Sequence, residues 1–347
     1  MSGKLQLRWK LLSTGYQRRT TLAHRRKRSD YGGPIAWQDV LKQRDPFRNA
    51  TGVIRFRTMR PLAKQILTYL ALVFTFSSLP VYVMVHSGHV GAGDGLVAGL
   101  MVWCPAFAAL TTCWLFRIDL ATLGWNWRPA KYEAWAYFIP IIYALPVYIA
   151  TWALVPGSFA FSTFADSLGQ AFGFPQSPRA VTLLLAIPCY ATAGFVSSMA
   201  HALGEEIGWR GFLLPRLVQQ TGFTFGCLLS GCIWAVWHYP ELLFADYNSG
   251  TQPVFALTCF TLMVIGDSYI LGWLRLKSGS LWTATVLHAS HNLFIQAIFD
   301  RITAPAGRAL YVSTEFGAGL VLTVGAFALY FWTRRQEVSA AAEAVPH

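Results

Sequence analysis

The chain has 347 residues, 54% of them hydrophobic and 13% charged, with a mean hydropathy of +0.40. An ordinary soluble protein carries about 25% charged residues, so soluble enzyme, nucleic-acid-binding domain and disordered scaffold are poor readings, and a polytopic membrane protein remains. The net charge of +12 belongs to one end: residues 1–64 hold 16 Lys and Arg against 3 acids, and the rest of the chain is nearly neutral.

In chain order, residues 1–64 form a basic extension with clusters such as Arg25-Arg26-Lys27-Arg28 and few sustained apolar patterns. It reads as a mostly flexible cytoplasmic segment with room for a short helix around 37–44. Basic residues beside a first span are an orientation signal and a contact for anionic lipid, and nucleic acid is not expected as a partner. The first long apolar run begins near Gln65, too late for a signal peptide.

Eight uncharged or nearly uncharged runs follow, at about 65–85, 95–116, 134–155, 180–204, 217–240, 247–266 (reaching 274), 278–299 and 316–333. A bilayer-spanning helix needs about 20 residues, and backbone polar groups in lipid must pair internally. The expected fold is therefore all-α: a bundle of about eight transmembrane helices over 65–335, with a short cytoplasmic tail at 336–347. Arg117, Arg128, Lys131, Arg210, Arg216, Arg275, Lys277, Arg334 and Arg335 fall at one side of such a bundle, against Arg179, Arg301 and Arg308 at the other. The bias sets both termini in the cytoplasm, and the plasma membrane of a prokaryote is the expected location. The six cysteines lie in apolar stretches without a C-x-x-C pair and read as reduced packing residues.

Ionisable groups inside a membrane are costly and mark function. Here most fall in three places: His201 to Arg210, containing Glu205 and Glu206; Trp234 to Pro240, containing His238; and His288 to Asn292, containing His291. Glu206 and Arg210 are at i,i+4 and can pair on one helix face, as can His288 and Asn292. Two carboxylates, imidazoles and an amide suit general acid–base hydrolysis. Histidines and an amide on facing helices could bind an oxyanion or a metal. Counting residues places Glu205 at the cytoplasmic end of the fourth span, in a cavity opening to the cytoplasm. His201 and His291 read as packing residues, and Asp267 as a hydrogen-bond partner of a neighbouring helix.

The set Glu205-Glu206-Ile-Gly-Trp-Arg210, Trp234-Ala-Val-Trp-His238 and His288-Ala-Ser-His-Asn292 resembles the CPBP family of intramembrane proteases, which includes CAAX-processing endopeptidases and bacteriocin-immunity (Abi) proteins. The resemblance covers about 178–299, and Trp234 stands where Phe is commonest. It implies an endopeptidase acting on a membrane-associated substrate, with a CAAX-type prenylated chain as one form and prenylation left open by the sequence. Glu205 would activate the water, Glu206 and Arg210 would support it, His238 would position the water, and His288 with Asn292 would stabilise the oxyanion. Members are often called metalloproteases, but H-E-x-x-H is absent, so zinc stays open, with Glu205, His238 and His288 as candidate ligands. The alternatives are a non-catalytic immunity or scaffold protein and a transporter; the chain has no evident internal repeat to favour the latter. Gly91-Ala-Gly-Asp94 spells the G-x-G-D of aspartyl intramembrane proteases, but no Tyr-Asp partner exists, and it reads as a turn.

Overall fold

The computed structural model describes residues 48–93, 95–127, 129–171, 173 and 178–338. Most of the basic extension, including the expected helix at 37–44, and the last nine residues lie outside them, as does Asp94. Contacts within the chain separate residues 1–54 from residues 55–347, and the helix bundle belongs to the second unit.

The elements are α1 (Arg48–Ser87), α2 (Leu96–Phe116), α3 (Ala130–Leu154), α4 (Phe161–Ala171), α5 (Arg179–Cys189), α6 (Phe195–Glu206), α7 (Leu214–Trp237), α8 (Tyr239–Phe244), α9 (Pro253–Ser278), α10 (Leu281–His291), α11 (Asp300–Ile302), α12 (Ala309–Val312) and α13 (Ala318–Thr333). Among the described residues no strand forms, only an isolated bridge between Phe159 and Thr303. Among the described residues four helices are long and apolar enough to cross a membrane by themselves: Pro61–Ser87 within α1, α2, α3 and α9. The other apolar runs are helical too, but α13 is shorter, and the runs at 180–204, 217–240 and 278–299 are broken by π turns, a kink or polar site residues. Of α4, α8 and α12 the hydropathy pattern is silent, because each is shorter than a span.

Hydrogen bonds between helix ends and loops define two ends. At one, Arg216 Nε donates to Gln65 Oε1 (3.1 Å), the Leu281 N–H to the Gly124 carbonyl (2.7 Å) and Lys277 to Glu337 (3.0 Å). At the other, the Val90 N–H donates to Asp246 (2.7 Å) and the Ala304 N–H to the Ser158 carbonyl (2.8 Å). The first is the basic end, and the second is the distal end. Inside the bundle α10 packs against α3, α6 and α9, and α9 against α7 and α13.

The fourth run departs most from expectation. It does not end at residue 204. Helix continues from Arg179 through π turns at Tyr190–Gly194 and Ile207–Leu213 to residue 221, and reverses only at Gly222 (φ 79°, ψ 169°). That backbone region is open essentially to glycine alone. Residues 204–215 are all buried, with Trp209 and Phe212 wholly inside, so apolar packing outweighs the three charges and keeps the segment helical. Arg210, counted above among the cations at one side of the bundle, is 0% exposed. Gly204 and Gly208 lay this helix directly on α2: a Cβ at either would come within 2.6 Å of a backbone carbonyl, of Val102 or of Pro105. Small residues four apart are how membrane helices reach such separations.

Candidate active site

α6, α7 and α10 bring the three motifs to one cavity of about 420 Å³, lined by Glu205, His238, His288 and Asn292. Glu205 sits on the last turn of α6, and its Oε2 accepts from the indole N–H of Trp234 (2.8 Å) and of Trp209 (3.3 Å). Oε1 takes no protein donor among the described residues. One oxygen is thus held and the other is left for a water.

Glu206, one residue on, faces away into a closed pair. Its Oε1 accepts from Arg210 (2.8 Å) and from His288 Nδ1 (2.9 Å), and both members of the Glu206–Arg210 pair are 0% exposed. Arg210 also donates to Ser268 (3.1 Å) and lies 4.1 Å from the Trp234 ring centroid. A buried pair needs its remaining donors and acceptors satisfied; the bonds to His288 and Ser268 meet part of that need, while Glu206 Oε2 and Arg210 Nε are buried with no hydrogen-bond partner among the described residues. Trp234 therefore does two things a phenylalanine could do only in part: its ring stacks on the guanidinium, and its N–H fixes Glu205.

His238, at the end of α7, stands among Trp237, Tyr247 and Phe260, with ring centroids at 4.6, 5.6 and 5.3 Å. With Nδ1 bound to Glu206, His288 keeps Nε2 for other partners, and its ring lies 5.3 Å from that of Trp234. Asn292 follows one turn later, half-buried, with no side-chain partner in the protein among the described residues.

Several groups come to the cavity that the sequence reading left as packing or did not single out. His291 Nδ1 lies 2.5 Å from the Tyr143 hydroxyl and 3.7 Å from Asp267, and its Nε2 is 3.8 Å from Glu315. Glu315 also accepts from Gln296 (2.9 Å). Asp267 does meet a neighbouring helix, as expected, but at a cavity-lining histidine. The i,i+3 spacing of His288 and His291 was a usable signal; Glu315 had none, since it precedes a run read as an outer loop and span. His201 lines the cavity as well, its Nδ1 2.9 Å from the Ser197 carbonyl.

The cavity wall includes Val90, Tyr247 and Glu315, all from the distal end. Glu205 therefore does not lie at the end of its helix, as residue counting placed it: the helix runs on past it for some 16 residues to Gly222. The zinc reading fits poorly. Among the described residues no three His, Cys, Asp or Glu side chains gather to hold a metal ion. Glu205 Oε1 and His288 Nε2 stay unengaged among the described residues, but with His238 they form no such group, so the metalloprotease description does not carry over.

Residues 187–294 match the family described as type II CAAX prenyl endopeptidase Rce1-like. CAAX prenyl protease 2 of Methanococcus maripaludis is 28% identical over 163 residues, which is 45% of this chain and 54% of that protein. The chain thus spans about half the length of the curated relative it matches. All six site residues named from the three motifs fall inside the matched segment. Through this segment the chain is similar to type II CAAX prenyl endopeptidases, in agreement with the resemblance carried by the three motifs.

Proposed function

We propose that the protein is an intramembrane endopeptidase that hydrolyses a peptide bond in a membrane-associated substrate, of which a CAAX-type prenylated chain is the form suggested by the relative's name. The observation that carries this reading is the convergence of Glu205, His238, His288 and Asn292 on one cavity, with a single oxygen of Glu205 left free of protein donors.

In this reading Glu205 takes a proton from a water held near His238, and the hydroxide attacks the carbonyl carbon. His288, doubly protonated against Glu206, and the Asn292 amide donate to the resulting oxyanion, which is where preorganised donors contribute most. Collapse breaks the C–N bond, and the proton on Glu205 goes to the leaving amine. No step uses a metal.

The placement proposed is a multi-pass protein of a prokaryotic plasma membrane with both termini in the cytoplasm and the basic extension against anionic lipid. The test is cleavage of a membrane-anchored peptide library, prenylated and unprenylated, by purified wild type and Glu205→Ala. Cleavage lost in the variant supports the reading; no cleavage by a folded wild type assigns the chain to the non-catalytic immunity or scaffold alternative, and equal cleavage by both removes Glu205 from the role of base.

A further inference from the structure

A second concavity lies away from the cavity of Glu205, at the basic end. It is a groove of about 630 Å³ between α3, α9 and α13. Its walls are aromatic and aliphatic, with Trp135 and Tyr330 more than half exposed and Ile142 nearly so. Its rim carries Lys131, Lys277 and Arg334, against one acid, Glu337.

Each rim cation rests on an aromatic ring of its own helix or its edge: Lys131 is 5.0 Å from the Tyr132 centroid, Lys277 5.6 Å from Trp273 and Arg334 4.9 Å from Tyr330. Stems along apolar surface with heads at a boundary are the posture of interfacial lysines and arginines. Glu337 bridges two of them, at 3.0 Å from Lys277 and 3.5 Å from Arg334, while Lys131 has no acidic partner among the described residues. Lys277 and Arg334 sit where a helix C-terminus favours cations, and that alone would explain them. Lys131 does not fit that account, because it stands in the first turn of α3, where an acid is favoured. Three cations converging over an apolar groove at the membrane boundary match a ligand with an anionic head and hydrocarbon tails.

We propose that this groove binds an anionic phospholipid, its phosphodiester among Lys131, Lys277 and Arg334 and its acyl chains along Trp135, Ile142 and Phe327. The site is separate from the basic extension at residues 1–64 and does not depend on the peptidase reading. Glu337 occupies the cation pair that the phosphodiester would take, so it acts as a competitor for the site.

The experiment is native mass spectrometry of the full chain in detergent, titrated with phosphatidylglycerol, with phosphatidylcholine, and with glycerol phosphate as a head without tails. Phosphatidylglycerol should be retained in clear preference to phosphatidylcholine, and glycerol phosphate should not compete. Each rim cation neutralised should weaken phosphatidylglycerol by about fivefold, and K131Q/K277Q/R334Q should bring it to the level of phosphatidylcholine. Glu337→Gln should tighten it severalfold. The charge-matched control R25Q/R26Q/R28Q should leave the preference intact. Equal retention of the two lipids overturns the proposal. So does a preference that survives the triple variant, one lost in the N-terminal control, or full competition by glycerol phosphate. If the triple variant does not fold, Lys131→Gln and Glu337→Gln decide, since only a phosphodiester site makes them shift in opposite directions.

Discussion

Adjacent glutamates in this protein have opposite environments. Glu205 keeps one oxygen open to the cavity, whereas Glu206 is closed in with Arg210 and His288. Glu205→Gln should therefore fold like wild type and lose turnover by at least about a hundredfold, the usual contribution of a general base. Glu206→Ala should lose folded yield first, because removing one partner of a buried pair typically costs about 3–5 kcal/mol. Thermal unfolding in detergent beside a cleavage assay separates the two, and equal folding losses would make both carboxylates parts of an ion cluster. Trp234→Phe keeps the ring over Arg210 and deletes the N–H to Glu205. Its expected signature is a lower kcat, by about tenfold if about 1.4 kcal/mol of orientation is lost, with the unfolding temperature little changed. A larger fall in stability than in kcat would show that the indole N–H is structural.

At the scale of elements, the turn at Gly222 decides where the motif helix ends. A Cβ there would meet nothing within 4 Å, so Gly222→Ala isolates the cost of the backbone conformation. It should destabilise by about 1–3 kcal/mol, read by thermal unfolding; no change would mean the turn relaxes into another conformation. The distal rim of the cavity depends on a different contact. The Val90 N–H and the His89 ring hold the Asp246 carboxyl below the usual carboxylate range, and the loop before α2 is tied to the loop before α9 through it. A depressed carboxylate stabilises the contact at pH values above its unfolded pKa, near 4, and the contact is lost as pH falls through the lower folded value. Hydrogen exchange at the Val90 amide should accordingly rise in Asp246→Asn at neutral pH and, after correction for intrinsic rates, on acidification of the wild type below about pH 4. Protection independent of both would remove Asp246 from this role.

For the whole molecule, the cavity and the positive charge lie at opposite ends of the bundle. Two of the nine inner cations, Arg210 and Arg275, are buried: Arg275 donates to the carbonyls of Arg210 (3.2 Å) and Leu123 (3.1 Å). On the proposed orientation, with the basic end in the cytoplasm, the cavity would open away from it. With Cys189 replaced by alanine, Arg308→Cys at the distal end should react with a membrane-impermeant maleimide in intact cells. Ala130→Cys at the basic end should react only after permeabilisation. The reverse pattern would put the cavity and its substrate on the cytoplasmic side.

Composition and the apolar runs were enough to establish an all-helical membrane bundle, because lipid leaves the backbone no partner but itself. The i,i+4 spacing of Glu206 with Arg210 predicted their pairing, because such contacts lie within one helix and need no knowledge of the fold. Tertiary structure alone decided the rest. The fourth run continues past Glu205 because packing against α2 and internal pairing make a helix of a stretch whose charges look like a loop. His291, Asp267, Tyr143 and Glu315 meet although they come from α10, α9, α3 and the turn before α13. Contacts between residues so distant in the chain have no period for a sequence to display, and they exist only once the helices have chosen their neighbours.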